Sequence, residues 1–557
     1  MESSAIISDS MMIDVTPLSS RILTVVGYGF TALISYLCLR LAYYGLLHPL
    51  SRYPGPFAAK LSDGYNGYYA FKRKLHTITR QNHLKYGTVV RQGPNKLVFN
   101  SIEALQDIYR YDRTTKPKAY IALGPRLKIP NIFSAQDRQL HRERRQLIGR
   151  ILSERSMRIF EPTVIEQVDL LVQHIFHSTQ GPQSTTIDMT ERARMLGFDL
   201  AALLAFGYKL DLQTREENGF ILPMLEAGFF WTSVFLHWPS TRKFSIGLVF
   251  LPVFRRLRRR YLSLVEYIIS SRTKQDKDAH YDLYSVVADE LDSTKSGSLR
   301  AGELWAEATL FLPAAGDTTK TALAAIFFYL SRDAQCYNKL TDEIRSSFTS
   351  AGQIRGSALT SLQYLRACID EALRICPPVA GILWREAYAS DQPFIVDGHV
   401  IPDGTVVGVN IYSIHHNEKY FPDSFTFRPE RWLDDARTMR DAFAPFSLGP
   451  RGCAGKAMAY LEIYLVVAKV MWYFDFRSLA RNGEAHAGVF ELLDNFTSSH
   501  EGPHLEFQQR EDYCKELGDA QANPQAKRLE REAQAKMEEM KAKEKEAKKA
   551  KESSSKK

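Results

Sequence analysis

The chain has 557 residues, 45% of them hydrophobic and 24% charged, with a formal net charge of +9. That composition is ordinary for a globular enzyme with room for a buried cofactor pocket. The charge does not point to nucleic acid: residues 525–557 carry 12 Lys or Arg against 7 Asp or Glu, so the first 524 residues net only +4 (9 − 5), and no nucleic-acid-binding motif accompanies it. The six cysteines, Cys38, Cys336, Cys368, Cys376, Cys453 and Cys514, form no C-x-x-C pair and no regular spacing. A disulfide framework and a zinc site are therefore not indicated, and a reducing compartment fits best.

The first element is ILTVVGYGFTALISYLCL, residues 22–39, which carries no charge. Eighteen helical residues rise roughly 27 Å, close to the hydrocarbon thickness of a bilayer. The run is too long for a signal peptide and lacks a small-residue cleavage site. Only acids (Glu2, Asp9, Asp14) precede Arg21, and basic residues accumulate beyond Arg40. The charge bias places residues 1–21 in the lumen, a membrane anchor over 22–40 and the body in the cytosol. HPLSRYPGP follows with three prolines and reads as a stiff hinge over 41–56.

Beyond the hinge, YGTVVRQGPNKLVFNS (86–101) alternates apolar residues around a Gly-Pro-Asn turn, predicting a hairpin. Helical periodicity fills 153–177, 257–274, 302–332 and 454–474, and residues 392–412 supply two or three short strands with Asp-Gly turns. No internal repeat is visible. The predicted class is mainly α with small β-sheets, in one large catalytic unit spanning 57–515. The remaining stretch, 516–557, is a Lys/Glu-rich tail of strong helix formers with too little apolar surface to fold as a domain. It reads as a solvated, fraying helix, with electrostatic attachment to anionic lipid as the sharper alternative.

Four short stretches carry chemistry. In FLPAAGDTTKTA (311–322), Asp317 and Thr318 interrupt an apolar helix after Pro313, whose missing N–H predicts a kink and a loosened groove. In EALR, Glu371 and Arg374 share one helix face, and FRPERW adds Arg431 in a Pro-bounded loop. The three could make a buried Glu–Arg–Arg cluster that fixes geometry. In FSLGPRGCAGKAM, Cys453 is fenced by Gly449, Gly452 and Gly455. A buried structural thiol, a nucleophile and a single axial thiolate for haem iron all suit an isolated cysteine, whereas a metal cluster would need partner cysteines. The glycines favour close approach to a flat ligand, and the helix starting near Ala454 would aim its positive end at the sulfur.

Taken together, the F-x-x-G-x-R-x-C-x-G stretch at Cys453, E-x-x-R at Glu371–Arg374, P-E-R-W at Pro429–Trp432 and A-A-G-D-T-T at 314–319, set against the usual A-G-x-D-T-T, resemble the cytochrome P450 family, in its membrane-anchored fungal form. One departure is Ala315, where glycine is common. The resemblance implies the cytochrome P450 fold and a haem b cofactor with Cys453 as proximal thiolate. It further implies proton delivery by Asp317 and Thr318, and haem contacts from His141, Arg145, Arg385, Phe446, Arg451 and Gly455, with Glu371, Arg374 and Arg431 holding the cysteine loop. His141 and Arg145 in HRERR share a helix face at i, i+4, whereas Arg142 and Arg144 read as a solvated face. The implied partners are O2, NADPH–cytochrome P450 reductase docking near Lys456, membrane lipid and a small hydrophobic substrate, on the endoplasmic reticulum membrane as a single-pass protein. Residues 120–133, 379–383 and 495–499 would line an apolar distal pocket that suits a polyketide, terpenoid or alkaloid intermediate. The rivals are a haem-thiolate isomerase or dehydratase, against which Asp317 and Thr318 argue, and a non-catalytic membrane haem-binding protein.

Overall fold

The computed structural model describes residues 18–123, 129–180, 186–241, 252–288, 301–434, 437–479 and 488–522. The expected lumenal end (1–17) and most of the charged tail (523–557) lie outside the described residues.

The chain begins with helix α1 (Leu18–Ala42), which continues through one π turn to Leu47. Residues Ile22–Leu47 form a helix long and apolar enough to cross a membrane, and none of its apolar window is buried in the protein. The span thus runs past the expected end at residue 40, because Pro49 is the first residue that cannot continue a helix. Its last turns are tied to the body: Arg40 donates to the Leu61 carbonyl (3.0 Å), and Arg91 donates to the Tyr44 carbonyl (2.8 Å).

Three helices follow, α2 (Phe57–Leu61), α3 (Gly64–Phe71) and α4 (Leu75–Tyr86). They lead into a five-stranded sheet ordered β1 (Val89–Gly93), β2 (Lys96–Phe99), β8 (Val406–Val409), β5 (Arg385–Ala387), β3 (Thr114–Thr115). The expected hairpin is β1–β2, with Val90 opposite Val98, and β2 then pairs parallel with β8. Three smaller sheets are β6 (Phe394–Val396) with β7 (His399–Ile401), β10 (Leu493–Asn495) with β11 (Thr497–Ser499), and β4 (Ile187–Asp188), β12 (His504–Gln509) and β9 (Phe474–Ser478).

The largest core gathers α6 (Glu154–Ser178), α7 (Met189–Phe206), α10 (Ala301–Leu330) and α13 (Lys456–Tyr473). Around it lie α5 (Arg138–Ile151), α8 (Ile221–His237), α9 (Pro252–Thr273), α11 (Ala334–Ser347), α12 (Gln363–Ile375) and α14 (Glu511–Ala522). Pro313 sits inside one continuous helix of 30 residues, so the expected kink does not end α10. A Cβ on Gly197 of α7 would stand 3.0 Å from the Gly316 Cα, and one on Gly316 would meet the Phe198 ring at 2.6 Å. Two glycines therefore let α7 press backbone to backbone against α10. At the chain's end, Tyr513 stacks edge-on against Trp472 (4.5 Å) and Tyr473 bonds Glu516 (2.5 Å). The expected boundary at 515 consequently falls inside α14, a helix docked on the body.

Candidate active site

The cysteine loop is built by backbone geometry. Ser447 and Gly449 take left-handed φ values of 58° and 67°. A Cβ on Gly449 would lie 2.2 Å from the Tyr109 carbonyl oxygen, so only glycine fits there. The Cys453 amide donates to the Phe446 carbonyl (2.8 Å), closing the loop one turn before α13, which starts at Lys456 rather than Ala454. Cys453 retains accessible surface, yet burial raises its thiol pKa, opposed by the Gly455 N–H, Arg145 and Lys456. A thiol that is both ringed by protein and accessible looks into interior space rather than bulk solvent. The Gly455 N–H stands at the sulfur.

The loop hangs from a buried ionic cluster. Arg374 grips Glu371 with two N–H groups, each at 2.9 Å, and Arg431 Nε reaches the same carboxylate at 3.0 Å. The Trp432 indole and the Arg428 amide add two more donors at 3.0 Å. His415, which the sequence did not single out, connects this cluster to the loop. Burial and Arg374 push its pKa down to about 3, so the ring is neutral, and Ala444 N donates to Nε2 (3.0 Å). Nδ1 must then carry the proton and donate to the Arg374 carbonyl (3.0 Å).

A second group of side chains is basic and, among the described residues, lacks counter-ions. His141, Lys116 and Arg385 are buried, and Arg451 is half-buried beside them. Burial lowers the His141 pKa to about 3, helped by Arg451, Lys116, Arg145 and Arg385, so all four cations lie within electrostatic reach. Burial likewise drives Lys116 well below the usual lysine value, and Arg385 and Arg451 push it further. Arg451 donates to the carbonyls of Ala135 (2.7 Å) and Gln136 (3.2 Å) and to the Tyr388 hydroxyl (2.9 Å). Arg385 donates to the Trp384 carbonyl (2.9 Å), Lys116 to the Phe133 carbonyl, and Arg145 to the Gly452 (2.6 Å) and Cys453 (3.4 Å) carbonyls. Among the described residues none of these cations meets a carboxylate. Arg451 Nε and Tyr120 Oη are buried with no partner. Lys116 was missed by the motif reading, because nothing in TTKPKAY distinguishes it from an exposed turn, whereas Tyr120 was expected only as the first residue of a pocket-lining segment. Arg144 was misread as solvated: it is buried, 2.7 Å from Glu303 and 3.9 Å from Glu307, whereas Arg142 is exposed as expected.

On α10, Asp317 and Thr318 turn to different partners. The Thr318 hydroxyl donates to the Ala314 carbonyl (2.9 Å) and remains partly accessible. Asp317 is buried and ion-paired to Arg194 Nε (2.9 Å) and Lys320 Nζ (2.6 Å), and Arg194 continues to Glu226 of α8 (3.5 Å). Glu462, also missed, is a fully buried carboxyl of α13 whose pKa burial lifts to about 8, opposed by a hydrogen bond from Thr319. The three segments expected to line the distal space converge in their described parts. Phe133 packs between Tyr120 (5.5 Å) and Phe496 (5.6 Å), and Ile382 joins the same cluster. Residues 124–128 of the first segment lie outside the described residues. A surface cleft of about 670 Å³ lined by His174, His177 and His504 shares no residue with this site.

Haem fits these residues. A lone interior thiol with an amide at its sulfur suits an axial ligand, and a cation cluster without carboxylates suits two propionates. Comparison with known proteins agrees. The family model described as Cytochrome P450 matches residues 60–485. The cytochrome P450 monooxygenase poxM of Penicillium oxalicum is 33% identical over 490 residues, covering 86% of this chain and 94% of the relative. Cytochrome P450 monooxygenase apf7 of Gibberella fujikuroi is 32% identical over 536 residues, with 90% and 100% covered. AKT7 of Alternaria alternata, of the same description, is 31% identical over 521 residues, with 88% and 99% covered.

Proposed function

This chain belongs to the cytochrome P450 family and is a haem-dependent monooxygenase with a cysteine thiolate on iron; from that premise we propose that Cys453 supplies the thiolate and that the enzyme inserts one oxygen atom of O2 into a hydrophobic secondary-metabolite intermediate, with electrons from NADPH. The observation that carries the assignment is the interior Cys453 thiol facing the Gly455 N–H. Bound haem would supply the activation of O2 and the insertion of one oxygen atom into substrate.

The protein's own groups then divide the work. Gly455 N–H and the start of α13 stabilise negative charge on the sulfur. Arg145, through the Gly452 and Cys453 carbonyls, fixes the loop against α5. His141, Arg385 and Arg451 would hold the haem propionates, and Phe446 would pack beside the ring. Glu371, Arg374 and Arg431, acting through His415, set where the sulfur stands. Thr318 Oγ1 would relay a proton into the substrate-facing space, and Asp317, neutralised by Arg194 and Lys320, positions that segment. Tyr120, Phe133, Ile382 and Phe496 offer an apolar wall, which supports a polyketide, terpenoid or alkaloid substrate rather than a charged one.

The membrane anchor supports a place on the endoplasmic reticulum with a cytosolic body, where a membrane-bound diflavin reductase is within reach. A cleft of about 540 Å³ beside the cysteine loop, lined by Arg366, Arg440 and Lys456 with Phe446 and Leu448, supports docking of that reductase's acidic surface. The test is Cys453→His in the full chain. The reduced, CO-bound protein should lose the red-shifted Soret band of thiolate ligation, along with product formation. A variant that keeps the band would refute the assignment.

A further inference from the structure

Glu307 of α10 is a buried acid for which the oxygenation chemistry above has no task. It lies three helical turns before Thr318, roughly 16 Å along the axis, and so outside hydrogen-bond reach of that hydroxyl. Burial raises its pKa to about 8, and a polar group in such surroundings is costly unless it is paired. Its neighbour Arg144 is committed to Glu303 (2.7 Å) and stands 3.9 Å from Glu307 Oε1, beyond a hydrogen bond. The hydrogen bond that Glu307 does make goes to backbone: the Ile132 amide donates to Oε1 at 2.8 Å. Oε2 is buried without a partner.

That amide belongs to a tight turn. The Ser134 amide and hydroxyl both donate to Asn131 Oδ1 (2.9 Å each), and the Ala135 amide donates to the Asn131 carbonyl (2.9 Å). Asn131 Nδ2 reaches the Ala306 carbonyl (3.4 Å), so the turn is moored to α10 at two adjacent residues. Its other side faces the basic cluster. The Phe133 carbonyl accepts from Lys116, and the Ala135 and Gln136 carbonyls accept from Arg451 (2.7 and 3.2 Å). Between these moorings the Phe133 ring stands edge-on to Phe496 (5.6 Å, 83° between planes) and packs on Tyr120 (5.5 Å). Phe133 and Phe496 both keep accessible surface. One short piece of backbone thus carries a pocket wall on its side chain and two cations on its carbonyls.

We propose that Glu307 is a positioning residue for substrate: by holding the Ile132 amide it fixes the turn at 131–134, and with it the angle at which the Phe133 ring meets a bound molecule. This rests on the haem reading above, which makes the space beside Phe133 the substrate's. An amide N–H needs an acceptor oxygen here and not a charge, so glutamine should serve as well as the acid. Aspartate, one methylene shorter, should draw the oxygen away from the amide. A small ligand that does not reach Phe133 is indifferent to Glu307. One carrying a flat aryl group depends on it through the edge-to-face contact.

The experiment titrates the full-length, haem-loaded protein with imidazole and with 4-phenylimidazole, reading each Kd from the Soret shift on nitrogen ligation. The ratio of the two affinities isolates the aryl contact. Phe133→Ala should lower the preference for 4-phenylimidazole about threefold to tenfold, the worth of one edge-to-face aromatic contact. Glu307→Ala and Glu307→Asp should lower it in the same direction, and Glu307→Gln should keep the wild-type ratio. Glu303→Gln, which disturbs Arg144 but not the turn, should keep it too. Adding Glu307→Ala to Phe133→Ala should cost nothing further, because the acid acts through that ring. Should Glu307→Ala fail to load haem, the aspartate and glutamine variants decide. The proposal is overturned if Glu307→Asp keeps the wild-type ratio, if Glu307→Gln loses it as fully, or if Phe133→Ala leaves it unmoved. It is equally overturned if Glu303→Gln lowers the ratio as much as Glu307→Asp, because the ion pair would then be the cause. The CO-bound Soret band separates these outcomes from failure of the haem reading. Wild type without the red-shifted band refutes that reading, whereas a normal band with an unmoved ratio refutes only the role of Glu307.

Discussion

Replacing Glu371 by glutamine removes the anion at the centre of the cluster that carries the cysteine loop. Its carboxylate receives two N–H groups from Arg374, one from Arg431, the Trp432 indole and the Arg428 amide, all between 2.9 and 3.0 Å. The Glu371, Arg374 and Arg431 side chains are 0% exposed. Glutamine keeps one acceptor oxygen but turns an NH2 toward donors, so two buried guanidiniums lose the anion they share. Breaking a buried pair in this way costs about 3–5 kcal/mol, against a total stability of about 5–15 kcal/mol for a folded domain. The loss should concentrate where the cluster is needed, along Arg374, His415 and Ala444 into the loop. Glu371→Gln should therefore lower both the denaturant midpoint and the fraction of purified protein showing the thiolate CO band. The control is Asp423→Asn in the same segment. Its pair with Arg428 (3.4 Å) has side chains 70% and 44% exposed, so its loss should cost below about 1 kcal/mol. If Glu371→Gln matches that control in haem content and midpoint, the cluster does not hold the loop and the reasoning fails.

Three further outcomes follow from the same geometry. Lys116→Met should shorten haem retention severalfold, measured as haem transfer to apomyoglobin, and Lys116→Arg should restore it; equal retention in all three would show that Lys116 faces no propionate. Gly449→Ala, with its Cβ 2.2 Å from the Tyr109 carbonyl and φ at 67°, should yield protein without haem, whereas Gly352→Ala, with nothing within 4 Å, should load normally. Glu462 titrates near 4.5 when unfolded and at about 8 when folded. The folded state thus holds a proton that the unfolded chain has lost, and stability falls by about 1.4 kcal/mol per unit as pH rises from 4.5 to 8. Glu462→Gln should remove that fall, read as denaturant midpoints between pH 6 and 8; an unchanged slope would place the titration elsewhere.

What the sequence made legible was what local spacing determines. Cys453 with its glycines and Glu371 with Arg374 sit within single turns or short loops, and the structure assembles them as their spacing implies. Arg431 was legible because its Pro-bounded loop has few ways to lie. The β1–β2 hairpin and the long helices followed from periodicity, with ends shifted by one to five residues where caps and packing decide. Partners supplied by tertiary structure were invisible. Arg144 looks solvated in HRERR until α10 brings Glu303 and Glu307 against it. Lys116 looks like a turn residue until Arg385 and Arg451 arrive from hundreds of residues away.

The meeting of Gly197 with Gly316 also limits how this pocket can change. Two helices in backbone contact cannot slide or roll past one another by small steps, because each step drives main-chain atoms into main-chain atoms. The segment carrying Thr318 is in effect a fixed rail, and added bulk at Gly316 has nowhere to go unless α7 is rebuilt with it. New substrate shapes must then be accommodated on the walls that side chains alone define: the turn at Phe496, the Phe133 region, and α8. A library that leaves residues 314–319 untouched and randomises those walls should retain far more active members than one built the other way round.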